Sequence, residues 1–99
     1  MSRTFIAKTD RNHQAIANYL RAKGCRVFSL HTLGRGCPDL LALLPGGRLV
    51  LIEVKSPKGR LTPDQEKFIG EGWPVVVVRS EDDCDRLLGG VTVTLPSPN

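Results

Sequence analysis

Two apolar runs, Asp39–Leu44 and Leu49–Lys55, flank the tripeptide Pro45-Gly46-Gly47. A proline followed by two glycines interrupts any regular element, and its length suits a tight reversal. The runs are therefore expected to pair as an antiparallel hairpin. The early part of the second run is apolar on both faces, the pattern of a strand covered on both sides. Downstream, Thr62-Pro63-Asp64-Gln65 combines three helix-start signals. Thr62 can be the N-cap, Pro63 fits the first helical position, and Gln65 completes a capping box. That helix should run to about Glu71 and lead into Pro74–Val78, whose four consecutive valines read as a buried strand. Strand, helix and strand make a β-α-β crossover, so these two strands should be parallel with a right-handed connection.

The remaining segments fit around this unit. Thr9 or Asp10 can cap a first helix that Gly24 stops, with Ile16, Tyr19, Leu20 and Lys23 on one face. Arg26–Leu30 reads as a strand, and Thr32–Pro38 as a flexible loop. Ser80–Asp83 opens a last helix that Gly89-Gly90 should end, with Val91–Leu95 a short edge strand and 96–99 a loose tail. The expected fold is α/β, a small mixed sheet flanked by helices in the order αβββαβα. Ninety-nine residues allow one domain, with its core at about 10–88 and little depth to bury. No apolar run reaches the ~18–20 residues that span a bilayer. MSRTFIAKTD lacks the apolar stretch of a secretory signal. Cys25, Cys37 and Cys84 are odd in number and widely spaced, which excludes a disulfide framework and a metal knuckle. Reduced thiols in a cytoplasmic protein are expected.

Charge is distributed unevenly. Residues 1–50 hold eight basic and two acidic side chains, while 51–99 hold six and eight. A basic half suits a polyanion such as nucleic acid. Between Arg11 and Ile52 the only carboxylate is Asp39, at the start of the first hairpin strand. Glu53 and Lys55 end the second strand and point to one face, because residues two apart on a strand do so. The hairpin brings Asp39 and Glu53 to the same end. Two converging carboxylates repel unless a cation lies between them, and a few oxygen ligands suit Mg²⁺ or Mn²⁺. Spacing alone also allows a plainer reading, with Glu53 and Lys55 a strand-end ion pair and Asp39 a turn residue.

Gly36-Cys37-Pro38-Asp39-Leu40, Leu51-Ile52-Glu53-Val54-Lys55 and Gly59-Arg60-Leu61-Thr62-Pro63-Asp64-Gln65, in that order, resemble the VRR-NUC family of virus-type replication-repair nucleases. That family belongs to the PD-(D/E)XK nuclease superfamily, and the resemblance runs from about Asp10 to Leu88. It implies Mg²⁺- or Mn²⁺-dependent endonucleolytic hydrolysis of phosphodiester bonds in DNA, with branched or junction DNA a candidate substrate. It implies Asp39, Glu53 and the backbone carbonyl of Val54 as metal ligands, Lys55 beside the attacking water, and Gln65 facing the site. It also implies a homodimer and, for a phage-encoded member, the bacterial host cytoplasm. One departure stands out: such nucleases often carry a glutamate on the first helix, and none precedes position 53 here. Gln14 is the nearest stand-in, with His13 and Asp10 behind it. Two other readings stay open, a catalytically silent nucleic-acid-binding module and a nuclease subunit that needs a partner.

Flanking residues complete the expected surface. Arg35 lies between Gly34 and Gly36, where the backbone can approach a phosphate closely. Lys58 and Arg60 flank Gly59 in the loop before the second helix, and His31 precedes the glycine loop. All four are candidate nucleic-acid contacts, with an ordinary solvated loop, or a satisfied strand-end histidine, as the alternative. Trp73 and Tyr19 are expected in the core or an interface.

Overall fold

The computed structural model describes the backbone of residues 2–93 and the side chains of residues 12–89. The elements run α1 (Ser2–Ala22), β1 (Arg26–Ser29), a 3-10 turn (His31–Leu33), β2 (Leu40–Leu43), β3 (Leu49–Val54), α2 (Pro63–Gly70), β4 (Val75–Val78) and α3 (Glu81–Val93). The sheet has the spatial order β1-β2-β3-β4. β2 and β3 form the expected antiparallel hairpin, with Leu40 opposite Ile52 and Leu43 opposite Leu49. β1 adds antiparallel to β2, and β4 lies parallel to β3 across the α2 crossover.

One face of the sheet carries the core. Leu40, Ala42, Val50, Ile52 and Val78 are buried together with Ile16, Ala17 and Leu20 of α1 and Cys84 of α3. The apolar spacing of α1 produces this contact, since 16, 17 and 20 fall on one side of the helix. α1 stops as Gly24 takes φ +94°, and the amide of Cys25 donates back to the carbonyl of Leu20 at 3.0 Å. This is the glycine-terminated closure that satisfies the last carbonyls of a helix.

The opposite face is only partly covered. Leu51 is half-buried, but Leu49 is 60% and Phe28 67% exposed. The expectation that β3 is covered on both sides therefore fails at its early end. α2 serves that face only near Glu53, and β4 is an edge strand in which only Val78 is buried.

Two boundaries also differ from expectation. Thr9 and Asp10 lie inside α1 instead of capping it. Residues 2–22 contain neither glycine nor proline, and a cap-type side chain alone does not stop a helix. α3 continues through Gly89-Gly90 to Val93. Glycine weakens a helix by about 1 kcal/mol but keeps its amide donor, whereas proline removes it. Residues 91–93 are therefore helical where a strand was expected, and 94–99, including the expected tail, lie outside the described residues.

The glycine loop is fixed against α2. Gly36 has φ +79°, and a Cβ there would collide with the carbonyl oxygen of Asp64. Gly34 also has a positive φ, +66°, but a Cβ there would meet open space. Gly36→Ala should therefore cost about 1–3 kcal/mol more stability than Gly34→Ala, because it adds overpacking to backbone strain. Urea denaturation of the two variants measures the difference.

Candidate active site

β2 and β3 bring the first acid to the second. The Leu40–Ile52 pairing sets Asp39 across from Glu53 at the end of the hairpin. Buried Pro38 fixes the start of this segment, and the carbonyl of Asp39 accepts from the amide of Leu30 at 2.7 Å. One carboxylate oxygen of Asp39, Oδ2, accepts from the amide of Val54 at 2.9 Å, which ties the side chain to β3.

Glu53 is the only buried charged side chain among the described residues, 3% exposed. Its Oε2 accepts from Nε2 of Gln65 at 2.9 Å and lies 3.6 Å from Nζ of Lys55. The same Gln65 closes the helix cap: its Oε1 accepts from the Thr62 amide at 2.8 Å, and its own amide donates to Thr62 Oγ1 at 3.2 Å. Gln65 therefore closes the α2 cap with the oxygen of its side-chain amide and meets Glu53 with the nitrogen. Asp39, Glu53, Lys55 and Gln65 come together as one cluster.

The electrostatics of this cluster are unfavourable for the bare protein. Burial, with the adjacent Asp39 carboxylate adding to it, pushes the Glu53 carboxyl up to about 7 against the opposing pull of Lys55. Glu53 thus holds its charge poorly at neutral pH. Among the described residues no group of three or more His, Cys, Asp or Glu forms a metal cage. The available donors are two carboxylates, each with one oxygen committed to a hydrogen bond. Mg²⁺ binds readily to one or two carboxylates while keeping several waters, so this sparse set fits it better than a metal needing a full protein cage.

The other expected residues are placed differently. Gln14 is exposed, and its Nε2 donates to Asn18 at 3.4 Å rather than reaching the carboxylates. The α1 side chain that meets the strand end is Asn12, whose Nδ2 donates to the carbonyl of Lys55 at 3.2 Å. His31 lies at the rim, Nδ1 4.0 Å from Asp39 Oδ1, with its ring 5.4 Å from that of His13. Lys58 and Arg60 are exposed on the 56–61 loop. Arg35 projects along α2, lining a groove with Asp64 and Lys67.

Asn12 and Arg79 were not singled out in the sequence. Nη1 of Arg79 donates to the carbonyls of Ser56 at 2.9 Å and Gly59 at 2.6 Å, so it pins the loop that carries Lys58 and Arg60. An arginine just after a parallel strand gives no local signal of this role, because its partners lie some twenty residues earlier. Cys25 and Cys84 are buried free thiols, and burial raises both.

The raised Glu53 carboxyl has a thermodynamic consequence. The fold favours its protonated form, so that contribution to stability is complete below its ordinary value near 4.5 and is lost as pH rises through about 7. Metal-free wild type should lose on the order of a few kcal/mol relative to Glu53→Gln between pH 5 and pH 8. Denaturant melts in EDTA at both pH values measure this, and parallel pH profiles for the two proteins would remove Glu53 as the source.

Three comparisons with known proteins bear on this arrangement. The VRR-NUC domain family matches residues 4–82. A protein of Acyrthosiphon pisum secondary endosymbiont phage 1, named "Putative nuclease p44", is 28% identical over 82 residues, covering 78% of this chain and 88% of the phage protein. A solved structure described as a VRR_NUC domain superposes with a TM-score of 0.62 at 34% identity, covering 81% of this chain and 92% of that one.

Proposed function

This chain belongs to the VRR-NUC domain family of nucleases, and from that premise we propose that it hydrolyses phosphodiester bonds in DNA with Mg²⁺ or Mn²⁺ held between Asp39 and Glu53. The observation that carries the proposal is a buried glutamate set beside a second carboxylate, with its carboxyl raised to about 7. Such a pair is costly in isolation and favourable around a divalent cation.

Val54 completes the proposed ligand set through its backbone. Its amide points toward Asp39, while the next amide, of Lys55, donates to Val78 of β4 at 2.9 Å. The two polar groups of one strand residue project to the same edge, so the Val54 carbonyl falls on the Asp39 side. When bound, the cation would polarise the scissile phosphate and acidify a water. The chain's own residues do the remaining work. Lys55, held near Glu53, orients the attacking water and offsets charge that develops on the phosphate. Gln65 holds the Glu53 carboxylate in place, and Asn12 fixes the backbone of Lys55. His31 at the rim and the exposed Lys58 and Arg60 contact the DNA backbone.

The partly open sheet face supports a homodimer. Phe28, Leu43 and Leu49 form an apolar surface that a second copy would bury. Two sites related by a two-fold axis suit branched DNA as substrate. No helix among the described residues is long and apolar enough to cross a membrane. The phage source of the similar nuclease supports a bacterial host cytoplasm as the place of work.

Cleavage of labelled duplex, flap and junction DNA with Mn²⁺, and its loss in EDTA, tests the function. Lys55→Ala should lower the rate at least about 100-fold while leaving DNA affinity nearly unchanged, because its contribution arises in the transition state. A silent binding module would bind DNA and cleave none of these substrates with either ion. Removing Lys58 or Arg60 should weaken binding of all sequences and reduce the salt slope by about one per lost phosphate contact. Gln65→Glu should retain the cap yet lose activity, because it replaces the amide donor to Glu53 with a third carboxylate.

A further inference from the structure

A second feature lies along α2, the helix that also carries Gln65. Arg35, Asp64, Lys67, Phe68 and Glu71 line a groove of about 420 Å³ between the glycine loop and α2. Phe68 is stacked on Trp73, with ring centroids 5.3 Å apart and planes 19° apart. Trp73 is 51% exposed, which sets it outside the core, one of its two expected placements, and its Nε1 donates to Glu71 Oε1 at 3.2 Å. That bond fixes the edge of the ring while half its surface stays in solvent.

Arg35 adds an independent observation. It is the only non-glycine among the described residues with a positive φ, +57°. A non-glycine side chain is rarely held in the left-handed region without a reason, and such strain gathers at ligand-binding positions. Here the strained turn presents a guanidinium to the groove.

The lining is chemically mixed. A phosphate would favour Arg35 and Lys67 but would be repelled by Asp64 and Glu71. A flat group carrying both donors and acceptors uses all of them: carboxylates accept from its N–H groups, the cations donate to its carbonyls, and the Phe68 ring, backed by Trp73, stacks on its face. We propose that this groove is a nucleobase site, taking one unpaired nucleotide adjacent to the scissile phosphate. The adjacency rests on the nuclease reading above. Gln65, bonded to Glu53, and Phe68 are three residues apart on α2 and so share a helix face.

Trp73 is the only tryptophan in the chain and is stacked on Phe68, which lines the groove, so its emission reports on this site through that contact. In EDTA, where no cleavage is expected, an unstructured single-stranded DNA oligomer should quench the emission of the wild-type protein. An abasic oligomer of the same length and charge should not. Trp73→Leu should weaken binding of the single strand about tenfold, read by anisotropy of a labelled oligomer, and leave abasic-oligomer binding unchanged. Arg35→Ala should weaken the quench as well. Thermal melts of both variants check that they fold, and the quench on wild type stands without either. Equal quenching by the abasic oligomer would overturn the proposal. So would a change in emission with protein concentration alone, which would mark the aromatic pair as a self-association surface. Because the readout needs no turnover, its failure is distinct from failure to cleave DNA with Mn²⁺.

Discussion

Antiparallel pairing of β2 with β3 is the constraint on which the site depends. With Leu40 opposite Ile52, the next residues out are Asp39 and Glu53. A slip of one residue would turn every side chain of β3 to the other face. It would expose Val50 and Ile52 and send Glu53 into the layer formed by α1 and α3. Core burial thus holds the register, and the register holds the carboxylates together against their repulsion. Stability and site geometry share one determinant, which is why the charged pair can be tolerated at the edge of an otherwise apolar sheet.

Around that pairing, several groups serve two purposes. Gln65 caps α2 with its oxygen and holds Glu53 with its nitrogen. Asp39 accepts from Val54 and so ties the incoming loop to β3. Gly36 allows the loop to lie against the first turn of α2. These contacts link the glycine loop, the end of β3 and the start of α2 into one assembly. Arg79 extends it by gathering the carbonyls of the 56–61 loop.

Much of this was legible in the sequence where the signal is local. The Pro45-Gly46-Gly47 reversal, the Thr62–Gln65 capping box and the two-residue spacing of Glu53 and Lys55 each act within a few residues, and the hairpin and the parallel crossover followed from such signals, whereas the place of β1 beside β2 did not. What depends on tertiary packing was not legible. Asn12, rather than Gln14, reaches the strand end because of how α1 is rotated on the sheet, which the apolar stripe constrains only to within a residue or two. The helical course of 2–10 had no breaker to mark it, and the cap-type residues at 9–10 and the paired glycines at 89–90 proved weaker stops than expected. The open apolar face of β1–β3 could not be told from a covered one, since the strand pattern is the same in both.

The central claim is that Asp39 and Glu53 act as a pair, each supplying an anionic oxygen to one divalent cation. A calorimetric titration of Mn²⁺ into wild type and Asp39→Asn tests it most directly, because it reads the ion and requires no substrate. The account predicts binding to wild type and loss of most of that affinity in Asp39→Asn, with the fold retained by circular dichroism. Unchanged Mn²⁺ affinity in a folded Asp39→Asn protein would contradict it.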